Sequence, residues 1–190
     1  MLKTISSLLL AGGLVATAQA APAEDQFTTM PGLNDTVMPS ASYSGYLDVS
    51  DTKSLHYIFV ESLNDTVSDP VVVWFNGGPG CSSMLGFFQE NGPFVMDDGE
   101  SWLKENPFPW NRDLNMLYIE SPAGVGYSTA TGPGDMSHSD MSQSIDAMIA
   151  LKAFYAKFPE FVANDLFVTG ESYGGIYVPY LAWQVYQNNN

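Results

Sequence analysis

The chain has 190 residues, 45% of them hydrophobic and 14% charged, which excludes a disordered tail and leaves room for one buried core. Six Lys and Arg against 21 Asp and Glu give a net charge of −15, a surface that repels phosphate backbones and excludes nucleic acid as a partner. Four Trp, ten Tyr and eleven Phe suit a dense core or an apolar cleft rather than a linker.

Residues 1–20 read as a signal peptide. Lys3 supplies a positive start, Ile5 to Val15 is mostly apolar and uncharged, and Ala18-Gln19-Ala20 is a small-x-small cleavage site. No later run approaches the ~18 uninterrupted apolar residues of a membrane span. Behind a signal peptide, the sequons at Asn34 and Asn64 become candidate glycosylation sites. The single cysteine, Cys81, lacks a partner in the chain for an oxidising compartment.

Residues 21–42 are rich in Ala, Pro, Thr and Met without a clean period and read as an extended lead-in. Residues 43–190 carry the domain. Tyr43 to Val49 and Leu55 to Glu61 are β-rich runs joined by a polar connection of hairpin length, which predicts an antiparallel pair. Pro70 to Phe75 is a nearly continuous apolar run closed by Asn76-Gly77-Gly78-Pro79-Gly80, the pattern of a strand buried on both faces that ends in a loop. Leu114 to Ile119 repeats it before Glu120-Ser121-Pro122-Ala123-Gly124. Ser128 to Ser144 reads as a surface loop, followed by a helix whose stripe of Met141, Ile145, Met148, Ile149, Tyr155 and Phe158 packs on the core and stops at Pro159. Leu166 to Thr169 is expected to be one more buried strand, leading through Gly170-Glu171-Ser172-Tyr173-Gly174 into an apolar helix. Strands alternating with helical segments predict an α/β sheet, mainly parallel, with antiparallel N-terminal strands at one edge.

Gly-x-Ser-x-Gly at 170–174, between a strand and a helix, is the context of a nucleophile elbow. The flanking glycines let backbone close in around the turn, and the helix after Ser172 aims its N-terminal dipole at a developing oxyanion. Acyl transfer also needs convergent backbone N–H groups; Tyr173 and Gly78 are the candidates, one after the nucleophile and one from the strand-end glycine loop. No Gly-Lys-Ser/Thr follows that loop, so a phosphate loop fits poorly. The two histidines, His56 in a strand pattern and His138 in the Ser-rich loop, precede Ser172 and read as structural or solvated.

Trp74 to Ser83, Glu90-Asn91-Gly92-Pro93, Asn106-Pro107 with Trp110-Asn111, Glu120 to Ser128, and Gly170 to Gly175 follow one another as the successive signatures of the serine carboxypeptidases do. The chain resembles that family from about Tyr43 to its last residue. The resemblance implies an α/β-hydrolase that removes single residues from peptide C-termini, without metal or cofactor, in the secretory pathway, secreted or vacuolar/lysosomal. It implies Ser172 as nucleophile and the Gly78 and Tyr173 amides as oxyanion hole. It further implies that Trp74, Asn76, Gly77, Glu90 and Glu171 surround the substrate's terminal carboxylate, and that Cys81 pairs with a cysteine outside this chain. A carboxylate can approach Glu90 and Glu171 only if a carboxyl group among them keeps a proton and donates it, which their burial and like charge are expected to favour.

An α/β-hydrolase triad runs Ser, then Asp or Glu, then His, and residues 173–190 contain none of the latter three. The expectation is therefore the N-terminal part of such a fold, with residues 21–190 alone inactive and poorly soluble because the strand before Ser172 is left as a sheet edge. Two other classes are compatible: an acyltransferase on the same scaffold, whose members commonly depart from the pattern at the positions of Asn76 and Glu171, both kept here, and a non-catalytic binding protein on a truncated hydrolase scaffold.

Overall fold

The computed structural model describes residues 21–188; the signal peptide read at 1–20 lies outside them. In chain order the elements are β1 (Gln26–Phe27), β2 (Ser42–Ser50), β3 (Lys53–Val60), β4 (Val71–Phe75), β5 (Phe94–Val95), β6 (Lys104–Glu105), β7 (Asn115–Ile119), β8 (Thr129–Ala130), α1 (Asp140–Lys157), β9 (Leu166–Gly170) and α2 (Gly174–Asn188). One sheet runs β1-β2-β3-β7-β4-β9, with β8 beside β3. β4 lies parallel to both β7 and β9, and the pairs from β1 to β7 are antiparallel. This is the expected α/β arrangement, with the antiparallel side wider than the one hairpin read from the sequence.

Side chains alternate along each strand, so the central strands feed two cores. Tyr57, Phe59, Val71, Val73, Phe75, Leu117 and Ile119 face α1 and α2, whose Phe154, Tyr177 and Leu181 fill that side. Ile58, Val60, Val72, Trp74, Met116 and Tyr118 face the other way, onto Leu33, Met38, Met84, Phe87 and Phe94. Both faces of β4 and β7 are thereby covered, which is why those strands read as unbroken apolar runs.

Three expectations change. Residues 21–42 are not a passive lead-in: β1 pairs with β2, and Leu33 and Met38 are buried in the second core. Asp25 anchors this stretch by accepting from the Tyr57 hydroxyl at 2.7 Å and from Lys157 Nζ at 2.8 Å. Burial, then the bond to Asp25, holds the Tyr57 phenol above its ordinary range. Asp25→Ala leaves that buried hydroxyl without its acceptor, and a loss of roughly 1–3 kcal/mol is expected. Thermal unfolding measures it; an unchanged melting temperature would mean that 21–42 contributes nothing to the fold.

The second change concerns α1, which starts at Asp140, inside the span expected to be loop, capped by Ser139 with a reciprocal Ser142 bond. Of the expected stripe, Met148 and Phe158 are buried and Tyr155 packs on the core, whereas Met141, Ile145 and Ile149 are exposed; Gln143, Ala147, Ala150, Leu151 and Phe154 supply the rest of the packed face. Small and polar residues on the packed face hid it from a hydrophobic count. Asp146 completes the seating through an ion pair to Lys53 at 2.5 Å. The third change is β9, expected to be buried: Phe167 is 54% exposed, because among the described residues this strand has a neighbour on one side only.

Candidate active site

Because β4, β7 and β9 are parallel, their carboxyl ends open on the same edge of the sheet, and the residues that follow them, Asn76, Glu120 and Glu171, converge there. Phe75 and Gly170 are register partners, so Asn76 and Glu171 leave adjacent strands side by side. Sequence-distant polar residues are gathered by topology alone.

Ser172 has φ +55°, the left-handed conformation a non-glycine residue avoids, and it stands exposed on the turn between β9 and α2. The elbow is held by the Glu171 N–H donating to Phe75 O at 3.2 Å and the Gly174 N–H donating to Glu171 O at 2.8 Å. The strand-end loop of β4 lies directly on it. A Cβ placed on Gly77 would overlap the Tyr173 amide nitrogen and stand 2.8 Å from Glu171 O. Among the described residues neither the Gly78 nor the Tyr173 N–H is taken by another acceptor. Uncommitted backbone amides are what an oxyanion hole requires. The Tyr173 phenol is pushed up by its bond to Asp140, and it borders a cleft of about 600 Å³ lined by Gly80, Ala123, Met136, Asp140 and Tyr177.

Asn76 joins the two glutamates. Its Oδ1 accepts from Trp74 Nε1 at 2.9 Å and from the Gly86 N–H at 2.8 Å. That orients Nδ2 toward Glu90 Oε1 at 2.8 Å and Glu171 Oε1 at 3.4 Å. Glu90 is delivered by a π-helical turn over Gly86–Glu90, the local distortion that re-aims a side chain. The sequence-expected set of Asn76, Gly77, Glu90 and Glu171 is thus assembled beside Ser172. Two details differ. Trp74 is 6% exposed and its one N–H donor is committed to Asn76 Oδ1. Glu90 and Glu171 are exposed rather than buried, so their expected burial is absent and proximity is what they have.

Neither histidine reaches Ser172. His56 is buried, with Nδ1 3.0 Å from Glu120 Oε2 and Nε2 3.0 Å from Ser44 Oγ, while His138 Nε2 lies 2.9 Å from Ala123 O. Sequence reasoning assigned Glu120 no part of its own. It is fully buried; burial raises its pKa, but bonds from His56, Ser82 and the Tyr127 N–H outweigh burial and hold it below the ordinary carboxylate range. The signal available was its position, one residue past a strand parallel to those that deliver Asn76 and Glu171. Cys81 is a partly exposed free thiol at the end of the glycine loop. Asn34 and Asn64 are both exposed, Asn64 with its amide 3.3 Å from Asp69. No helix among the described residues is long and apolar enough to cross a membrane.

A family model described as serine carboxypeptidase matches residues 31–190. The chain is 47% identical over 182 residues to the lysosomal protective protein of Mus musculus, covering 95% of this chain and 38% of that protein. It is 42% identical over 185 residues to serine carboxypeptidase ctsa-4.1 of Caenorhabditis elegans, covering 97% and 39%. Among solved structures it superposes on a prohormone-processing carboxypeptidase from Saccharomyces cerevisiae with a TM-score of 0.77 at 26% identity, over 90% of this chain and 40% of that one. The chain therefore spans about two fifths of the length of these curated relatives.

Proposed function

The chain belongs to the serine carboxypeptidase family and has its α/β-hydrolase fold, and from that premise we propose that the protein carrying it hydrolyses C-terminal residues from peptides through Ser172. The observation that carries this reading is Asn76, an oriented amide bridging Glu90 and Glu171 beside the nucleophile. A site that selects chain ends needs a carboxylate-binding group next to the scissile carbonyl. The 3.4 Å bond to Glu171 is the weak one that a substrate carboxylate would displace.

Ser172 Oγ attacks the scissile carbonyl, the oxygen takes negative charge, and the Gly78 and Tyr173 amides donate to it. The leaving residue departs as a free amino acid with a proton on its amine, and water hydrolyses the acyl enzyme. The base that takes the Ser172 proton is not among the described residues, since both histidines are held elsewhere. Residues 21–190 expressed alone are accordingly proposed to be inactive. The candidate signal peptide at 1–20, with exposed Asn34 and Asn64 as glycosylation sites, supports a place in the secretory pathway, secreted or vacuolar/lysosomal, with Cys81 pairing outside the chain.

A peptide acid bound beside Glu90 and Glu171 meets like charge, which a neutral donor at one of those positions relieves. In the full-length protein, Glu90→Gln, which keeps the side chain's shape and adds an N–H donor, is expected to lower KM for a blocked dipeptide acid several-fold and to leave KM for the dipeptide amide little changed. Equal changes for acid and amide would remove Glu90 from carboxylate recognition.

A further inference from the structure

Loop 76–83 carries the Gly78 amide, and its anchors show what sets its position. The Asn76 N–H donates to Ser83 Oγ at 3.3 Å, and that hydroxyl donates to Ile119 O at 2.6 Å. The Gly80 N–H donates to the Tyr177 hydroxyl at 3.2 Å. Ser82 Oγ accepts from the Met84 N–H at 3.1 Å and donates to Glu120 Oε1. Besides the Asn76 amide's bonds to Glu90 and Glu171, this last contact is the loop's tie to a charge, and the carboxylate it meets is fully buried.

Glu120 is itself immobilised. Its Oε2 accepts from His56 Nδ1 at 3.0 Å and from the Tyr127 N–H at 2.8 Å. Gly126 lies against the carboxylate so closely that a Cβ there would overlap it. The His56 ring is clasped edge-on by Tyr46 and Tyr127. A buried carboxylate is a poor way to add stability, because well-packed apolar side chains commonly do as well or better; fixing a geometry is a use such a group can serve.

We propose that Glu120, held by His56 and acting through Ser82, is a positioning residue that keeps the Gly78 amide in register with Ser172. This rests on the acyl-transfer reading of Ser172 above. Neither Glu120 nor Ser82 touches substrate in this account; they set where an amide stands, so their loss acts on turnover and not on peptide binding.

The test uses the full-length protein, with kcat and KM for a blocked dipeptide acid and the rate of Ser172 acylation by a fluorophosphonate. Ser82→Ala removes one hydroxyl from a partly exposed position and is expected to lower kcat and the acylation rate about tenfold, with KM little changed. Ser82→Thr, which restores a hydroxyl, is expected to recover most of the loss. Glu120→Gln should reproduce the Ser82→Ala loss if it folds; if it does not, the two Ser82 variants decide. An unchanged kcat in Ser82→Ala, a loss that appears in KM alone, or a Ser82→Thr variant as slow as Ser82→Ala overturns the proposal. If the wild type is acylated but releases no C-terminal residue, the carboxypeptidase reading fails, and the acylation rates still judge Ser82 and Glu120.

Discussion

Ser172→Ala in the full-length protein is expected to reduce release of C-terminal residues by about 10⁴-fold or more, with the fold intact. Alanine keeps the Cβ and therefore the same strained φ of +55°, so the elbow is neither relaxed nor broken. What disappears is the hydroxyl that forms the acyl enzyme in the proposed mechanism. Binding of a peptide acid should survive, because Asn76, Glu90 and Glu171 are untouched; equilibrium binding of a blocked dipeptide to the variant measures this. Turnover within tenfold of wild type would show that the nucleophile is another group.

Gly77→Ala is expected to cost about 100-fold in kcat, the scale of a lost oxyanion donor or a 1 Å misplacement. The added Cβ would meet the Tyr173 amide nitrogen, Glu171 O at 2.8 Å and Ser172 Cβ at 3.0 Å. These are backbone and elbow atoms that cannot swing aside, so the loop must retreat and carry the Gly78 amide and Asn76 with it. Peptide binding should weaken as well, since Asn76 is the next residue. Gly175→Ala is the control: it sits in α2, a Cβ there meets nothing within 4 Å, and alanine favours the helix by up to ~1 kcal/mol. A Gly77→Ala enzyme as active as the Gly175→Ala one would mean that the close approach of the two loops is immaterial to catalysis.

The prediction at Glu90 and the one at Gly77 separate two kinds of information. The chemistry of each residue is local and was legible: a serine between glycines after a strand, glycines after another strand, glutamates in recognisable blocks. The buried strands Val71–Phe75 and Asn115–Ile119 were legible for the same reason, since burial on both faces leaves an unbroken apolar run. The packed face of α1 was not, because Gln143, Ala147 and Ala150 become core residues only through the sheet beneath them and carry no hydrophobic signal of their own.

By itself the sequence determined the family and named the candidates: the elbow, two oxyanion amides and a proposed carboxylate-binding set. Only the tertiary structure decided which of those residues meet and in what order of support. The parallel register of β4, β7 and β9 brings Asn76, Glu120 and Glu171 to one edge across dozens of residues of chain, and no local pattern encodes a strand's neighbour. The bond from Trp74 to Asn76 and the one from Ser82 to Glu120 were beyond local pattern as well, because a hydrogen bond is a statement about distance in space. The exposed setting of Glu90 and Glu171 was equally beyond reach of the sequence, since burial is a property of what packs against a side chain and not of the side chain.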